Sequence, residues 1–151
     1  DMDIVRRSFA AKDPDVRRRA VMAYGEATRG DETAKLGPLV ELLRDSDRMV
    51  RTAASQALVS SLRGVAVLLA SIQELSGPLR VTAIRALVGR TPGAAIIQLA
   101  RELGRAPWPE RAALVDVLGH SAIGRDVLRR RRSHENHALV LSRIDAALGM
   151  P

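Results

Sequence analysis

The side chains with the most chemistry to offer are arginines at one position of a motif that recurs along the chain. The clearest copy reads Val50-Arg51-Thr52-Ala53-Ala54-Ser55-Gln56-Ala57-Leu58. Three looser copies, at spacings of 34, 29 and 31 residues, give the full set: Arg17, Arg51, Arg80 and Arg111. A planar guanidinium binds carboxylates and phosphates through two parallel hydrogen bonds. The motif therefore predicts ion pairs, either within the fold or with an acidic partner.

A second group of reactive side chains lies near the C-terminal end. Arg129-Arg130-Arg131-Arg132 is the densest basic run, and it is followed by His134-Glu135 and His137. Successive residues of a helix are rotated by about 100°, so four adjacent arginines cannot share one face. The run is typical of the polar outer surface of a terminal repeat, although it also suits nucleic-acid phosphates or an acidic protein. Two histidines without a further ligand are a weak metal signal, so we expect no metal and no cofactor.

The recurrence itself predicts the elements that position these side chains. Self-similarity at a period of about 30 residues is typical of helical solenoids, in which stacked helix pairs share a core. In the clearest copy, the apolar positions follow the i, i+3, i+4, i+7 spacing of one helix face. Apolar residues make up 46% of the chain, yet Phe, Tyr and Trp occur once each. We therefore expect an all-α fold, a right-handed α-solenoid of about five antiparallel helix pairs with an aliphatic core.

The predicted boundaries follow the turn signals between the helices. We expect one domain over 1–151 with repeats at about 1–29, 30–63, 64–90, 91–120 and 121–151, the last pair being shorter than the others. Asp13 is expected to cap the second helix of the first repeat, and the second helix of the second repeat is expected from about Asp47 to Leu62. The first helix of the second repeat is expected from about Thr33 to Arg44, and Trp108 is expected in a loop. Since the chain starts at Asp1 rather than Met, the sequence leaves open whether it is a piece of a longer protein.

The motif resembles that of a known repeat family. Leu42-Leu43-Arg44-Asp45-Ser46-Asp47, followed by Val50-Arg51, is similar to a HEAT-type repeat, particularly the bacterial class named after phycobilisome lyases. The likeness extends over about residues 13–119. It implies that the second helices line a concave binding face, and that the motif's Asp and Arg bond to each other and to adjacent repeats as a ladder.

The resemblance divides the arginines into two predicted roles. Arg17 and Arg51 each have an aspartate four residues earlier, so the predicted structural ladder is Asp13, Arg17, Asp47 and Arg51. The positions four residues before Arg80 and Arg111 hold Ser76 and Pro107, which leaves these arginines without the family's acidic partner. The predicted partner-binding residues are therefore Arg80, Arg111, Arg85 and Arg48.

Two enzymatic classes of HEAT-like protein use residue types that this chain also contains. The di-iron hydroxylases need several His-Glu dyads, and this chain has only His134-Glu135. The glycosylases for alkylated bases hold a nucleotide with aromatic and acidic residues, for which Trp108, Arg111 and Asp116 are the candidates here. A second aromatic platform is missing, although stacking is a main source of affinity for unpaired bases. The chain also lacks cysteine, a Gly-rich phosphate loop and a nucleophile-elbow serine. We expect no enzymatic activity.

The predicted function is a scaffold or interaction module that binds an acidic protein segment on its second helices. The formal net charge of +7 supports an acidic partner, and all basic residues except Lys12 and Lys35 are arginine. The alternative is sequence-tolerant nucleic-acid binding through a basic stripe. No apolar run reaches the ~20 residues of a membrane span. We expect a cytoplasmic protein, and the sequence leaves open the identity of the partner and the oligomeric state.

Overall fold

The structure, a computed structural model, describes residues 2–150. Over this range the chain forms ten α-helices and no β-strand. In chain order they are α1 Met2–Arg7, α2 Pro14–Ala27, α3 Gly37–Leu42, α4 Arg48–Leu58, α5 Leu62–Ser71, α6 Gly77–Ala86, α7 Gly93–Glu102, α8 Trp108–Leu118, α9 Ala122–Arg132 and α10 Ala138–Leu148. Short 3₁₀ turns extend α1 over Ser8–Ala10 and α5 over Ile72–Glu74. The predicted class, all-α and built from about five helix pairs, is confirmed.

The chain divides into two compact units, residues 1–86 (unit 1) and residues 87–151 (unit 2). Unit 1 contains α1 to α6, and unit 2 contains α7 to α10. None of the helices within residues 2–150 combines the length and hydropathy needed to cross a lipid bilayer.

In unit 1, the second helices of successive pairs lie side by side. α4 packs against both α2 and α6, while α3 and α5 pack against each other in a second layer. Because α5 returns the chain between α4 and α6, these two second helices run in the same direction. The core between the layers is aliphatic, with Leu39, Leu58, Leu68 and Ile84 almost wholly removed from solvent.

Unit 2 repeats this arrangement with two pairs. The second helices α8 and α10 pack together, and so do the first helices α7 and α9. Leu99, Leu114, Leu128 and Ile144 form the centre of its core and are fully buried. The last pair was expected to be shorter, but α9 and α10 have 11 residues each, the same length as α4 and α8. That expectation is wrong: α9 buries Leu128 and α10 buries Val140 and Ile144, and the two helices pack against α7 and α8.

Short polar side chains begin several of these helices. Asp13 accepts a hydrogen bond from the backbone N–H of Asp15 and caps α2, while Asp47 accepts from Met49 and Val50 and caps α4. The predicted Asp13 cap is confirmed. Ser61 and Ser121 cap α5 and α9 in the same way, each accepting from the backbone N–H three residues later. A cap of this kind satisfies one of the donors that a helix start leaves free.

Three residues after each of these serines lies a glycine, and the packing leaves no room for a side chain there. An alanine Cβ at Gly64 would lie 1.9 Å from the carbonyl oxygen of Leu58, and one at Gly124 would lie 2.1 Å from that of Leu118. Leu58 and Leu118 are the last residues of α4 and α8. The first helix of the following pair therefore crosses the end of the previous second helix at backbone contact, once in each unit.

The first helix of the second repeat differs from its prediction. It was expected from about Thr33, but α3 starts at Gly37. The Asp31 carboxylate accepts hydrogen bonds from both the backbone N–H and the hydroxyl of Thr33, at 2.8 and 2.6 Å. This local turn competes with the helix, which then starts with Pro38 in its first turn.

Candidate functional site

Arg17, on α2, makes four side-chain hydrogen bonds within the fold. Its Nε and Nη2 donate to the two carboxylate oxygens of Asp45, at 2.7 and 2.8 Å, and its Nη1 donates to the carbonyls of Ala11 and Lys12. Asp45 lies in the turn before α4, so this bidentate pair joins two consecutive repeats. The hydrogen bonds from Arg17 hold the pKa of the Asp45 carboxyl below its ordinary value, and they raise the pKa of Arg17.

The predicted partner of Arg17 was Asp13, and this pairing is wrong. The Asp13 carboxylate is used at the start of α2, where it accepts from a backbone N–H. Asp45, 28 residues after the arginine, takes its place and forms the contact between repeats. The inter-repeat part of the predicted ladder thus has a geometric counterpart, while its i, i+4 part does not.

Arg51 and Asp47 were also expected to pair, and they do not. Asp47 caps α4, whereas the Arg51 Nη1 donates to the carbonyls of Asp45 and Ser46, at 2.8 and 2.9 Å. Arg51 is only 9% exposed, and its buried Nε has no hydrogen-bond partner in the part of the chain that the structure describes. The two carbonyls hold this guanidinium against the preceding turn, so Arg51 serves the fold without a direct carboxylate.

Arg111, on α8, has the geometry of Arg17 rather than that of a free side chain. Its Nε and Nη2 donate to the two carboxylate oxygens of Glu135, at 3.1 and 3.0 Å, and its Nη1 donates to the Ala106 carbonyl. The Glu135 side chain is completely buried. The expectation that Arg111 lacks an acidic partner is therefore wrong, because that partner comes from the turn before α10.

The contacts of Glu135 argue against the metal-binding alternative for His134-Glu135, because arginines occupy its carboxylate. Burial raises the pKa of Glu135, but the hydrogen bonds from the His137 backbone N–H and from Arg111 outweigh it, so the net pKa lies below the ordinary value. Arg131 adds a second cation at 3.7 Å. Among residues 2–150 there is no cluster of three or more His, Cys, Asp or Glu side chains placed to hold a metal ion. Glu135 is the counter-ion of two arginines.

Arg80, the remaining arginine of the motif, is half-buried on α6 and is not without a partner. Arg80 was predicted to bind a partner because the aspartate four residues earlier is missing. That absence does not make its guanidinium available.

The arginine run on α9 is mostly neutralised within unit 2. Arg129 pairs with Asp126, Arg131 approaches Glu135, and Arg132 donates to Asp145 at 2.6 Å. Three of the four arginines thus have a carboxylate neighbour, which favours the polar outer surface over a nucleic-acid contact.

The three residues considered for nucleotide binding also have partners within unit 2. Trp108, expected in a loop, is the first residue of α8, and its indole stacks on His137 at a centroid distance of 4.6 Å and an interplanar angle of 8°. Asp116 accepts two hydrogen bonds from Arg143, at 2.7 and 2.6 Å. Arg111 is held by Glu135. These three side chains do not form one site.

The last two predicted partner-binding residues, Arg48 and Arg85, line one shallow groove. The groove lies between α4 and α6, has a volume of about 170 Å³, and is lined by Arg48, Thr52, Gln56, Thr82, Arg85 and Ala86. Both arginines are exposed, and neither makes an ion pair or a side-chain hydrogen bond with the described residues. No carboxylate lines the groove, so its two cations and its polar walls suit an anionic ligand. We call it the unit 1 groove.

Comparison with known proteins agrees with this architecture. A sequence profile described as HEAT repeats matches residues 4–87, more than half of the chain. The chain belongs to the HEAT-repeat family. HEAT repeats are generally protein-interaction scaffolds. No curated protein matches the chain.

The HEAT match ends near the boundary of unit 1, yet the geometry of unit 2 follows the same rule. Asp45 lies two residues before the cap of α4, and Glu135 lies two residues before His137, the residue that precedes α10. Each carboxylate accepts hydrogen bonds from the Nε and Nη2 of the arginine on the preceding second helix. Each also accepts one from the backbone N–H two residues later. Sequence reasoning missed both acidic residues. The available signal was an acidic residue two positions ahead of each second-helix cap.

Unit 2 of this HEAT protein has a groove of its own between α8 and α10. It has a volume of about 440 Å³ and is lined by Val88, Asp116, Gly119, His120, Arg143, Ala146 and Ala147. Its floor is made of small side chains because α8 and α10 approach closely: a Cβ at Gly119 would lie 2.9 Å from that of Ala147. Its charged residues, Asp116 and Arg143, already neutralise each other.

Proposed function

We propose that this chain is a non-enzymatic interaction module whose unit 1 groove binds an acidic segment of a protein partner. The observation that carries the proposal is the contrast between arginines on the second helices of unit 1. Arg17 and Arg51 are held by acceptors within the fold, whereas Arg48 and Arg85 lie exposed in the groove without a counter-ion. Unpaired cations that line one polar groove retain their full capacity to bind carboxylates.

The charge of the groove supports an acidic partner over an apolar one. Its arginines are joined by threonine and glutamine side chains, with no large apolar side chain in the lining. Charged rims of this kind mainly raise the association rate and exclude partners of like charge. The resemblance of the second repeat to the phycobilisome-lyase type of HEAT repeat is compatible with such a docking role, and the proposal does not depend on it.

The test measures binding of labelled peptides by fluorescence anisotropy at about 50 and 150 mM salt. The probes are a glutamate-rich peptide, a neutral peptide of equal length and a 20-base-pair DNA duplex. We expect the acidic peptide to bind, and Arg48→Glu with Arg85→Glu to weaken it by about tenfold or more. The matched control is Arg101→Glu with Arg105→Glu, which changes the net charge equally at two exposed arginines of unit 2.

Equal weakening by both double variants would mean that net charge and not the groove determines binding, and would overturn the proposal. Failure of the acidic peptide to bind the parent at 50 mM salt would also overturn it. Tighter binding of the duplex than of the acidic peptide would transfer the function to nucleic-acid binding.

A further inference from the structure

We infer that the segment bound in the unit 1 groove is extended, and that two of its carboxylates lie four residues apart. This inference rests on the proposed function and specifies the partner that the groove fits.

The two arginines lie at different levels along the groove. The motif Val50-Arg51 recurs as Leu79-Arg80, 29 residues later, so Arg85 on α6 corresponds to Gln56 on α4. The two helices run in the same direction, which places Arg85 at the level of Gln56, two turns beyond Arg48. At 1.5 Å per residue, eight residues separate the backbone positions of the two arginines by about 12 Å along the helix axes.

The groove also offers hydrogen-bonding groups to the backbone of a ligand. The hydroxyls of Thr52 and Thr82 donate to the carbonyls of Arg48 and Pro78 on their own helices, both at 2.9 Å, so each oxygen is left as an acceptor. The Gln56 amide is exposed and makes no hydrogen bond with the described residues, so it offers both donors and acceptors. An extended chain has backbone N–H and C=O groups that need such partners, whereas a helix satisfies its own.

The size of the groove favours an extended ligand over a helical one. A helix with its side chains is about 10–12 Å across, and a volume of about 170 Å³ holds only a few side chains of a narrower ligand. An extended strand rises by about 3.3 Å per residue, so a span of about 12 Å corresponds to three or four residues, and of these only the residue four positions away points to the same face. Carboxylates at i and i+4 of an extended segment therefore reach Arg48 and Arg85 together.

The test uses peptides of one composition, each with two glutamates in a Gly, Ser and Pro background that prevents helix formation. The glutamates are placed at i, i+1, at i, i+4 or at i, i+8, and a fourth peptide carries the i, i+8 pair in an alanine-rich helical background. We expect the extended i, i+4 peptide to bind about fivefold tighter than the other three, since it forms both ion pairs. In Arg85→Ala this preference should disappear, because only one of the two cations remains.

The outcomes separate the two claims. If the extended peptides bind equally and the Arg48/Arg85 double variant still abolishes binding, the spacing inference fails while the proposed function stands. If the helical peptide binds best, the extended conformation is wrong. If none of the peptides binds the parent, the proposed function itself fails.

Discussion

Replacing Gly124 by alanine should destabilise unit 2 by about 2 kcal/mol. The new Cβ would lie 2.1 Å from the Leu118 carbonyl oxygen and 2.7 Å from its carbon. Carbon and oxygen atoms normally approach no closer than about 3.3 Å, so the junction between α8 and α9 would have to open by about 1.2 Å. Overpacking costs typically about 1–3 kcal/mol, and an obstructing backbone atom places this case near 3. The better helix propensity of alanine returns about 1 kcal/mol.

The assay is urea unfolding followed by the fluorescence of Trp108, which lies in unit 2 and is the only tryptophan of the chain. With a urea dependence of about 2 kcal/mol/M, the midpoint should fall by about 1 M. Gly64→Ala should act similarly in unit 1, where the contact is 1.9 Å, and circular dichroism can follow it there.

Gly93→Ala is the matched control within unit 2. Gly93 begins α7, and an added Cβ would have no atom within 4 Å. We expect this substitution to be neutral or to stabilise by less than about 1 kcal/mol. A midpoint for Gly124→Ala at or above that of the parent would show that the first helix does not cross the second at backbone contact, and the account of the junction would be refuted.

Three further predictions concern single contacts. Glu135→Gln should cost about 3 kcal/mol at neutral pH, because it leaves Arg111 without its counter-ion. Because folding lowers the pKa of Glu135, its carboxylate contributes to the free energy of unfolding above the ordinary pKa of 4.5, and this contribution is lost as the pH falls through the pKa of the folded state. The urea midpoints of parent and variant should therefore converge as the pH is lowered from 7 to 3. Arg51→Ala should lower stability by about 2–3 kcal/mol through the loss of two charge-assisted hydrogen bonds, whereas an unchanged melting curve would mean that the two carbonyls are equally well solvated. His137→Ala should shift the emission of Trp108 to the red and increase its quenching by acrylamide, since one indole face loses its cover; identical quenching in parent and variant would contradict the stacked pair.

The sequence predicted the features that depend on local periodicity. The recurring motif gave the helix pairs, and Asp13 was placed correctly as a helix cap because capping is a contact over two or three residues. The acidic partners of Arg17 and Arg111 were missed because they lie in turns, where no helical period marks them. Arg48 and Arg85 were named from the sequence, but the groove that brings them together depends on how α6 packs on α4.

The contacts of Arg17 and Arg111 have a consequence for excising parts of this chain. Each arginine has its counter-ion on the next repeat, 28 and 24 residues downstream. A fragment that ends after a single helix pair would contain one of these arginines without its carboxylate partner. The smallest transplantable piece therefore consists of two consecutive pairs, and chimeras with other HEAT proteins should exchange overlapping two-pair blocks rather than single repeats.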